Sequence, residues 1–224
     1  MSIGFHHQLD TLTTTIGELC AHAGRAVQGA TQALLHADVA LAESVISEYD
    51  KIVRTAAHAE RDALKLLTLH APVASDLRTV VASLKNVTDA CHMGGLALHV
   101  SEIVRSRHPA HALPDELKGY FAEMGRIAVD LSRTATNVVV SGNPDQAAKL
   151  AHDDDAMDEL HRLLFSILMD RQWSHTVATA VDITLLSRYY ERFADHAVTV
   201  GQRVIFQATG THVAQHQVEQ HPTA

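Results

Sequence analysis

Apolar residues recur at helical spacing along six long stretches of this chain, and the last three stretches repeat the plan of the first three. The first unit is expected to place helices over about 10–35, 38–71 and 75–107, and the second over about 115–141, 143–171 and 174–208. Aromatic residues make up only 4% of the chain, which favours packed helices over a β-sandwich. Because a repeat constrains architecture, the pattern predicts an all-α fold of two tandem antiparallel three-helix bundles with an internal pseudo-two-fold repeat.

Breaks between the stretches fix the expected ends of the helices. Side chains that cap helix N-termini stand at each break: Asp38 for the second helix, Ser75 or Asp76 for the third, Asn143 followed by Pro144 for the fifth, and Ser174 for the sixth. In the third helix, the apolar spacing predicts that seven residues face the core: Leu77, Val80, Val81, Leu84, Val87, Leu96 and Val100.

One segment separates the two halves of the pattern. Residues 108–114, HPAHALP, contain two prolines and no periodicity, so we interpret them as a linker between a first unit at 1–107 and a second at 115–209. The remaining residues, 210–224, are polar and aperiodic, and we expect a loose tail.

Charge and cysteine usage exclude several classes of protein. The formal net charge is −8 and no Lys/Arg block occurs, which argues against nucleic acid as a partner. The two cysteines form no CxxC pair, which favours a reducing compartment. The chain lacks a run of 18 apolar residues and a signal-peptide pattern at its start, so we expect a cytoplasmic protein that does not span a membrane.

Two pairs of carboxylates in the second unit indicate a site. Glu191 and Asp195 lie four residues apart, which stacks both side chains on one face of a helix. Asp154 and Asp158 have the same spacing on the preceding antiparallel helix. Like charges at this spacing destabilise a helix by about 0.2–0.5 kcal/mol per pair, so a compensating positive charge is expected.

The residues alone leave two possible sources of the compensating positive charge. The four carboxylates form a hard, oxygen-rich set that suits Mg, Mn, Ca or iron, with zinc less well matched. The alternative is a solvated charged surface, neutralised by cationic side chains nearby in sequence: Lys149, Arg162, Arg188 and Arg192. A third interpretation, that residues 153–155 are helix N-terminal acids, is disfavoured because the expected cap lies about ten residues earlier.

The first unit carries a reduced copy of this set. An offset of 100 residues places Cys91 on Glu191 and an offset of 104 places Asp50 on Asp154. The first unit therefore retains only one of the four carboxylates, Asp50.

These residues carry a resemblance to a known family. The segments that resemble the PhoU family, the accessory regulators of bacterial phosphate transport, are YERFADHA at 190–197, DDAMD at 154–158 and SDLR at 75–78. Those that resemble its actinobacterial branch are MGGLALHV at 93–100 and RHP at 107–109. The match extends from about residue 5 to 207, and its most specific part is E-R-x-x-D, present as Glu191, Arg192 and Asp195.

The resemblance implies metal clusters on two E-R-x-x-D motifs, and here the first motif departs from the pattern. Cys91, His92 and Gly95 stand where Glu, Arg and Asp belong. Asp50, Cys91 and His92 could form a softer residual site, or Cys91 could simply be a small packed residue beside two glycines.

The resemblance also implies a function. It indicates a cytoplasmic homodimeric regulator, not an enzyme, that reaches the membrane through its partners. Those partners would be a sensor histidine kinase and the ATPase subunit of the phosphate ABC transporter, and the effect would be to damp phosphate uptake and phosphate-starvation gene expression. Two alternatives are a metal-free helical scaffold and a ferritin-like di-metal carboxylate protein. The latter requires Glu-x-x-His, and no Glu in this chain has a His three residues on.

Overall fold

The computed structural model describes residues 3–211, and all the regular structure in that range is helical. The α-helices are α1 (Ile3–His36), α2 (Val39–His70), α3 (Ala74–Arg107), α4 (Lys118–Ser141), α5 (Pro144–Asp153), α6 (Asp155–Leu168) and α7 (Val177–Thr209), with a turn of 3-10 helix at Asp115–Leu117. The all-α fold predicted from the sequence is confirmed. The predicted loose tail falls, from residue 212 on, outside the described residues.

Local side-chain chemistry explains most of the helix ends. Asp38 accepts a hydrogen bond from the Leu41 backbone N–H at 3.0 Å, and Asn143 caps α5, with proline at the first helical position. Both predicted caps are confirmed.

Two predicted caps and one predicted helix start are wrong. The third helix begins at Ala74, before both of the predicted cap residues, Ser75 and Asp76, and no side chain caps it. The last helix is capped by Thr176 and not by Ser174, because the Thr176 hydroxyl accepts the Thr179 N–H at 3.1 Å. The first helix begins seven residues before the predicted residue 10, at residue 3.

The two three-helix units pack through equivalent helices. Helix α1 packs on its counterpart α4, and α3 packs on its counterpart α7, so these four helices form a shared central layer. Helix α2 covers α1 and α3, while α5 and α6 cover α7 and α4. One contiguous apolar core runs through both units, and the predicted linker contributes to it through the buried side chains of Ala112 and Leu113.

The predicted inward face of α3 is only partly correct. Val80, Val87 and Val100 are buried as predicted, whereas Leu77 and Val81 are exposed, at 41% and 39%. Ser83 and Asn86 are buried on the same helix. Because small and polar residues occupy core positions of α3, its apolar residues alone do not define its buried stripe.

Helices α3 and α7 meet through a buried polar network. Asp89 of α3 is 8% exposed and contacts two residues of α7: His196, whose Nδ1 lies 2.7 Å from Asp89 Oδ1, and Arg203, which donates to Asp89 Oδ2. Burial alone would raise the pKa of Asp89, but the hydrogen bonds from His196 and Arg203 outweigh it and lower the pKa below its usual value. A second ion pair joins the same helices, since Arg107 donates to both carboxylate oxygens of Asp182 at 2.5 and 3.0 Å.

No helix within residues 3–211 combines the length and the apolar character that a bilayer crossing requires.

The contact between α1 and α4 predicts opposite effects for two glycine substitutions in α4. A Cβ at Gly125 would lie 2.4 Å from Thr31 Cγ2, and Thr31 is held by a 2.7 Å hydrogen bond to the buried Tyr190 hydroxyl. Gly125→Ala should therefore lower the free energy of unfolding by about 1–3 kcal/mol. A Cβ at Gly119 meets nothing within 4 Å, so Gly119→Ala should raise it by up to about 1 kcal/mol. Urea denaturation measures both changes, and equal shifts in the same direction would contradict the close packing.

Candidate metal centre

The predicted fifth helix is interrupted at one of the predicted site residues, so its prediction as a single helix is wrong. Helix α5 ends before Asp154, and α6 begins directly after it. Neither Gly nor Pro stands there, but three consecutive aspartates do, at 153–155. The restart places Asp155 and Asp158 in the first turn of α6, where the helix dipole favours negative charge. The interpretation of residues 153–155 as helix N-terminal acids, disfavoured from the sequence, therefore holds for Asp155, and Asp158 shares that favourable position.

Asp154 experiences the other three carboxylates of the predicted site. Helices α5 and α6 both pack on α7, which carries Glu191 and Asp195. The pKa of Asp154 is raised to about 7, first by burial and then by the negative charges of Asp158, Asp195 and Glu191. The pKa of Glu191 is raised to about 6 by burial and by Asp195. The structure thus brings the four predicted carboxylates into one electrostatic cluster, which we call the carboxylate cluster.

One arginine partly neutralises this cluster. Arg188 Nη1 lies 2.5 Å from each carboxylate oxygen of Glu191. The pKa of the Asp195 carboxyl is raised by burial, although the positive charge of Arg188 opposes the rise. Within residues 3–211, the other cations considered from the sequence, Lys149, Arg162 and Arg192, make no ion pair with the cluster. Salt bridging therefore offsets only part of the repulsion.

A hydrogen bond close to the cluster holds α6 against α7. His161 Nδ1 of α6 lies 2.7 Å from the Ser187 hydroxyl of α7. Burial, together with the charge of Arg188, lowers the pKa of His161, which favours the neutral ring in this contact. This contact fixes the spacing between the helix that carries Asp158 and the helix that carries Glu191.

The chemistry of the cluster fits a hard cation, but its geometry is not preformed. Asp154 Oδ1 is buried and has no hydrogen-bond partner, which is a costly state for a carboxylate oxygen. Among residues 3–211, no group of three or more His, Cys, Asp or Glu side chains is already arranged to hold a metal ion. Binding would therefore require the carboxylates to turn toward a common centre, and the ion would offset the burial and the repulsion that raise the pKa values of Asp154 and Glu191.

The first-unit equivalents have different surroundings. Asp50 is exposed. Cys91 hydrogen-bonds to Tyr49, whose hydroxyl lies 3.2 Å from the place a Cβ would take at Gly95. His92 stacks on His196 of α7. The tyrosine ring thus occupies the space in which the second unit holds Asp195, and the three side chains of the predicted residual site have separate neighbours.

Sequence reasoning missed the buried network of Asp89, His196 and Arg203. The available signal was Asp89 itself, which stands between the core residues Val87 and Ala90 on the buried side of α3. A charged residue at such a position requires a partner, but its partners lie more than 100 positions away in the chain.

The fold and this cluster place the chain in a class of all-helical proteins built from two antiparallel three-helix bundles. The PhoU domain model matches residues 16–104 and 121–204, which together cover most of the chain. The chain therefore belongs to the PhoU family.

Relatives and solved structures agree with this assignment. The chain is 59% identical over 210 residues to the phosphate-specific transport system accessory protein PhoU homolog 2 of Mycobacterium tuberculosis, covering 94% of this chain and 99% of that protein. It is 56% identical to the PhoU homolog 1 of Mycobacterium leprae, covering 94% and 95% of the two chains. The crystal structure of PhoU from Streptococcus pneumoniae has the same fold, with a TM-score of 0.84 at 21% identity over 93% of this chain and 99% of that one.

Proposed function

We propose that this chain is a cytoplasmic regulator of phosphate uptake that represses the phosphate-starvation response. It would bind a sensor histidine kinase and the ATPase subunit of a phosphate ABC transporter, and it would act as a homodimer without catalysing a reaction. The observation that carries the proposal is the 59% identity, over nearly the whole of both chains, to a protein named as an accessory protein of the phosphate-specific transport system.

The architecture is suited to docking. The seven α-helices of residues 3–211 share one apolar core, which holds the outer faces of α2, α5 and α6 in place. A surface that needs little reordering loses less conformational entropy when a partner binds. Met169 directly after α6 and Val177 at the start of α7 are both about 80% exposed and offer apolar contact area.

Deleting the gene should switch on phosphate-scavenging genes in phosphate-rich medium, because repression would be lost. A phosphatase reporter measures this effect, and the wild-type chain supplied from a plasmid should restore silence. A pull-down with the tagged chain should recover the kinase or the transporter ATPase. A silent reporter together with an empty pull-down would contradict the proposal and would favour the metal-free scaffold.

We also propose that the carboxylate cluster binds one or more hard divalent or iron cations. Asp154, Asp158, Glu191 and Asp195 would supply the oxygen ligands, and the bound ion would supply positive charge that joins the α5–α6 junction to α7. The support is the pKa of Asp154 and of Glu191, both raised first by burial and then by neighbouring carboxylates, and the buried, unpartnered Asp154 Oδ1.

Elemental analysis of protein purified without chelator tests this second proposal. The Glu191→Gln, Asp195→Asn double variant should lose nearly all the hard cation bound by this cluster, since two of its four carboxylate charges are removed. The matched control is Asp50→Asn, which changes the exposed first-unit equivalent and should leave the metal content unchanged. Wild-type metal content in the double variant would identify the cluster as surface charge.

A further inference from the structure

Two histidines from different units touch at the seam between α3 and α7, outside the carboxylate cluster. His92 of α3 and His196 of α7 have ring centroids 5.3 Å apart and planes within 17° of parallel. The side chain of His196 is 17% exposed, and His92 is exposed. Although His196 follows Asp195 in sequence, adjacent residues of a helix point about 100° apart, so the two side chains leave α7 in different directions.

The surroundings of His196 fix which ring nitrogen carries its proton. Its Nδ1 lies 2.7 Å from Asp89 Oδ1, and the other oxygen of Asp89 accepts from Arg203. An ionised carboxylate can only accept, so His196 Nδ1 donates and the neutral ring keeps its lone pair on Nε2. A carboxylate that orients an imidazole in this way is the usual outer-shell partner of a metal-binding histidine.

The second ring is free to complete a pair. Within residues 3–211, His92 makes no hydrogen bond or ion pair, and its ring contact is the one with His196. Two imidazoles that bind one ion through nitrogens at 2.0–2.1 Å, at a tetrahedral angle, have centroids about 5 Å apart, which is close to the observed spacing. Because the two ring planes are nearly parallel, one ring must turn about its Cβ–Cγ bond before a nitrogen of each ring can point at the same ion. The exposed His92 has the room to turn.

We propose that His92 and His196 together bind one transition-metal ion of the class that prefers imidazole, namely Cu²⁺, Ni²⁺ or Zn²⁺, with water completing the coordination. This preference differs from that of the carboxylate cluster, whose oxygen ligands suit Mg²⁺ and Mn²⁺. The ion cross-links the first unit to the second, since each unit contributes one ligand. The inference does not depend on the proposed regulatory function.

The competing interpretation is that the two rings are only a packing pair, and substitution by phenylalanine separates the two roles. His92→Phe keeps an aromatic ring against His196 but removes the ligand nitrogen. The matched control is His99→Phe, because His99 is also exposed on α3 and also lies 5.3 Å from an aromatic ring, that of Tyr189. Both substitutions are placed in the full chain carrying Glu191→Gln and Asp195→Asn, which removes half of the carboxylate cluster.

Calorimetric titration with Ni²⁺ and the Ni²⁺-induced rise in Tm are the measurements. His92→Phe should lose one binding equivalent or weaken it at least tenfold, and most of the Ni²⁺-induced rise in Tm should disappear. His99→Phe should behave like its parent despite the many other histidines of the chain. With Cu²⁺, electron paramagnetic resonance should count two imidazole nitrogens in the parent and fewer in His92→Phe. Identical titrations and spectra for the two phenylalanine variants would overturn the proposal and leave a packing pair.

Discussion

Replacing Arg203 with methionine is expected to lower the free energy of unfolding by about 3 kcal/mol at pH 7, since it leaves Asp89 buried and short of a partner. In the wild-type chain the pKa of Asp89 is lowered, so the stabilisation is present above the unfolded pKa of about 3.9 and is lost as the pH falls through the folded-state value. The difference in the free energy of unfolding between the wild type and Arg203→Met should therefore shrink below about pH 4. Urea denaturation at pH 7 and at pH 3.5 measures both values.

Two further variants test whether the unpaired charge causes this loss. Asp89→Asn combined with Arg203→Met should recover at least 1 kcal/mol, about the value of a neutralised buried carboxylate, because no charge is left without a partner. Arg126→Met removes an exposed arginine that pairs with Glu123 and Asp130, and it should cost under about 1 kcal/mol. An Arg203→Met deficit no larger than that of Arg126→Met would show that water replaces the arginine at Asp89.

The sequence predicted most of the architecture because the helices carry apolar stripes and several of them have a local end signal. Asp38 and Asn143 act on backbone N–H groups two or three residues away, so no tertiary contact is needed to recognise them. The signal that ends α4 is equally local, because the residue after the helix, Gly142, has a φ of 65°, a value that favours glycine. Signals of this kind depend on the neighbouring residues alone.

The break at Asp154 and the buried face of α3 depend on packing between helices. Apolar periodicity continues through Asp154, with Leu150 and Met157 buried on either side, so the pattern alone indicates one helix. In α3, Ser83 and Asn86 are buried where α3 meets its neighbours, while Leu77 faces out. Both outcomes arise from contacts with helices that lie far away in the sequence.

The residues of the carboxylate cluster follow from the sequence but their electrostatics do not, and their role as metal ligands stays a prediction. The spacing of four residues predicted that Glu191 and Asp195 share one helix face, and the same spacing on the preceding helix added Asp154 and Asp158. The pattern could not show that Arg188 pairs with Glu191, nor that Asp154 is buried enough to hold a proton near neutral pH. Burial is a tertiary property, and it decides which carboxyl of the cluster titrates last.

Replacing Asp154 with asparagine is expected to stabilise the metal-free protein at pH 8. The folded-state pKa of about 7 lies above the unfolded value of about 3.9, so the folded state holds this proton more tightly. The stabilisation from that proton is complete below about pH 4 and is lost as the pH rises through 7. The full difference corresponds to about 4 kcal/mol, which the partial exposure of Asp154 reduces to about 2 kcal/mol.

Thermal unfolding in EDTA at pH 5 and pH 8 checks the sign of this effect. The variant should be only slightly more stable than the wild type at pH 5, where about a third of the stabilisation from the Asp154 proton has been lost, and its advantage should be about three times larger at pH 8. Asp153→Asn removes an exposed neighbouring charge and should show no such growth of stability with pH. Adding Mn²⁺ at pH 8 should reverse the order, because only the wild type retains all four oxygen ligands and an ion that binds the folded state alone stabilises it. If Asp154→Asn is less stable in EDTA at pH 8, the carboxylates do not repel one another, and the charge argument for a cation loses its basis.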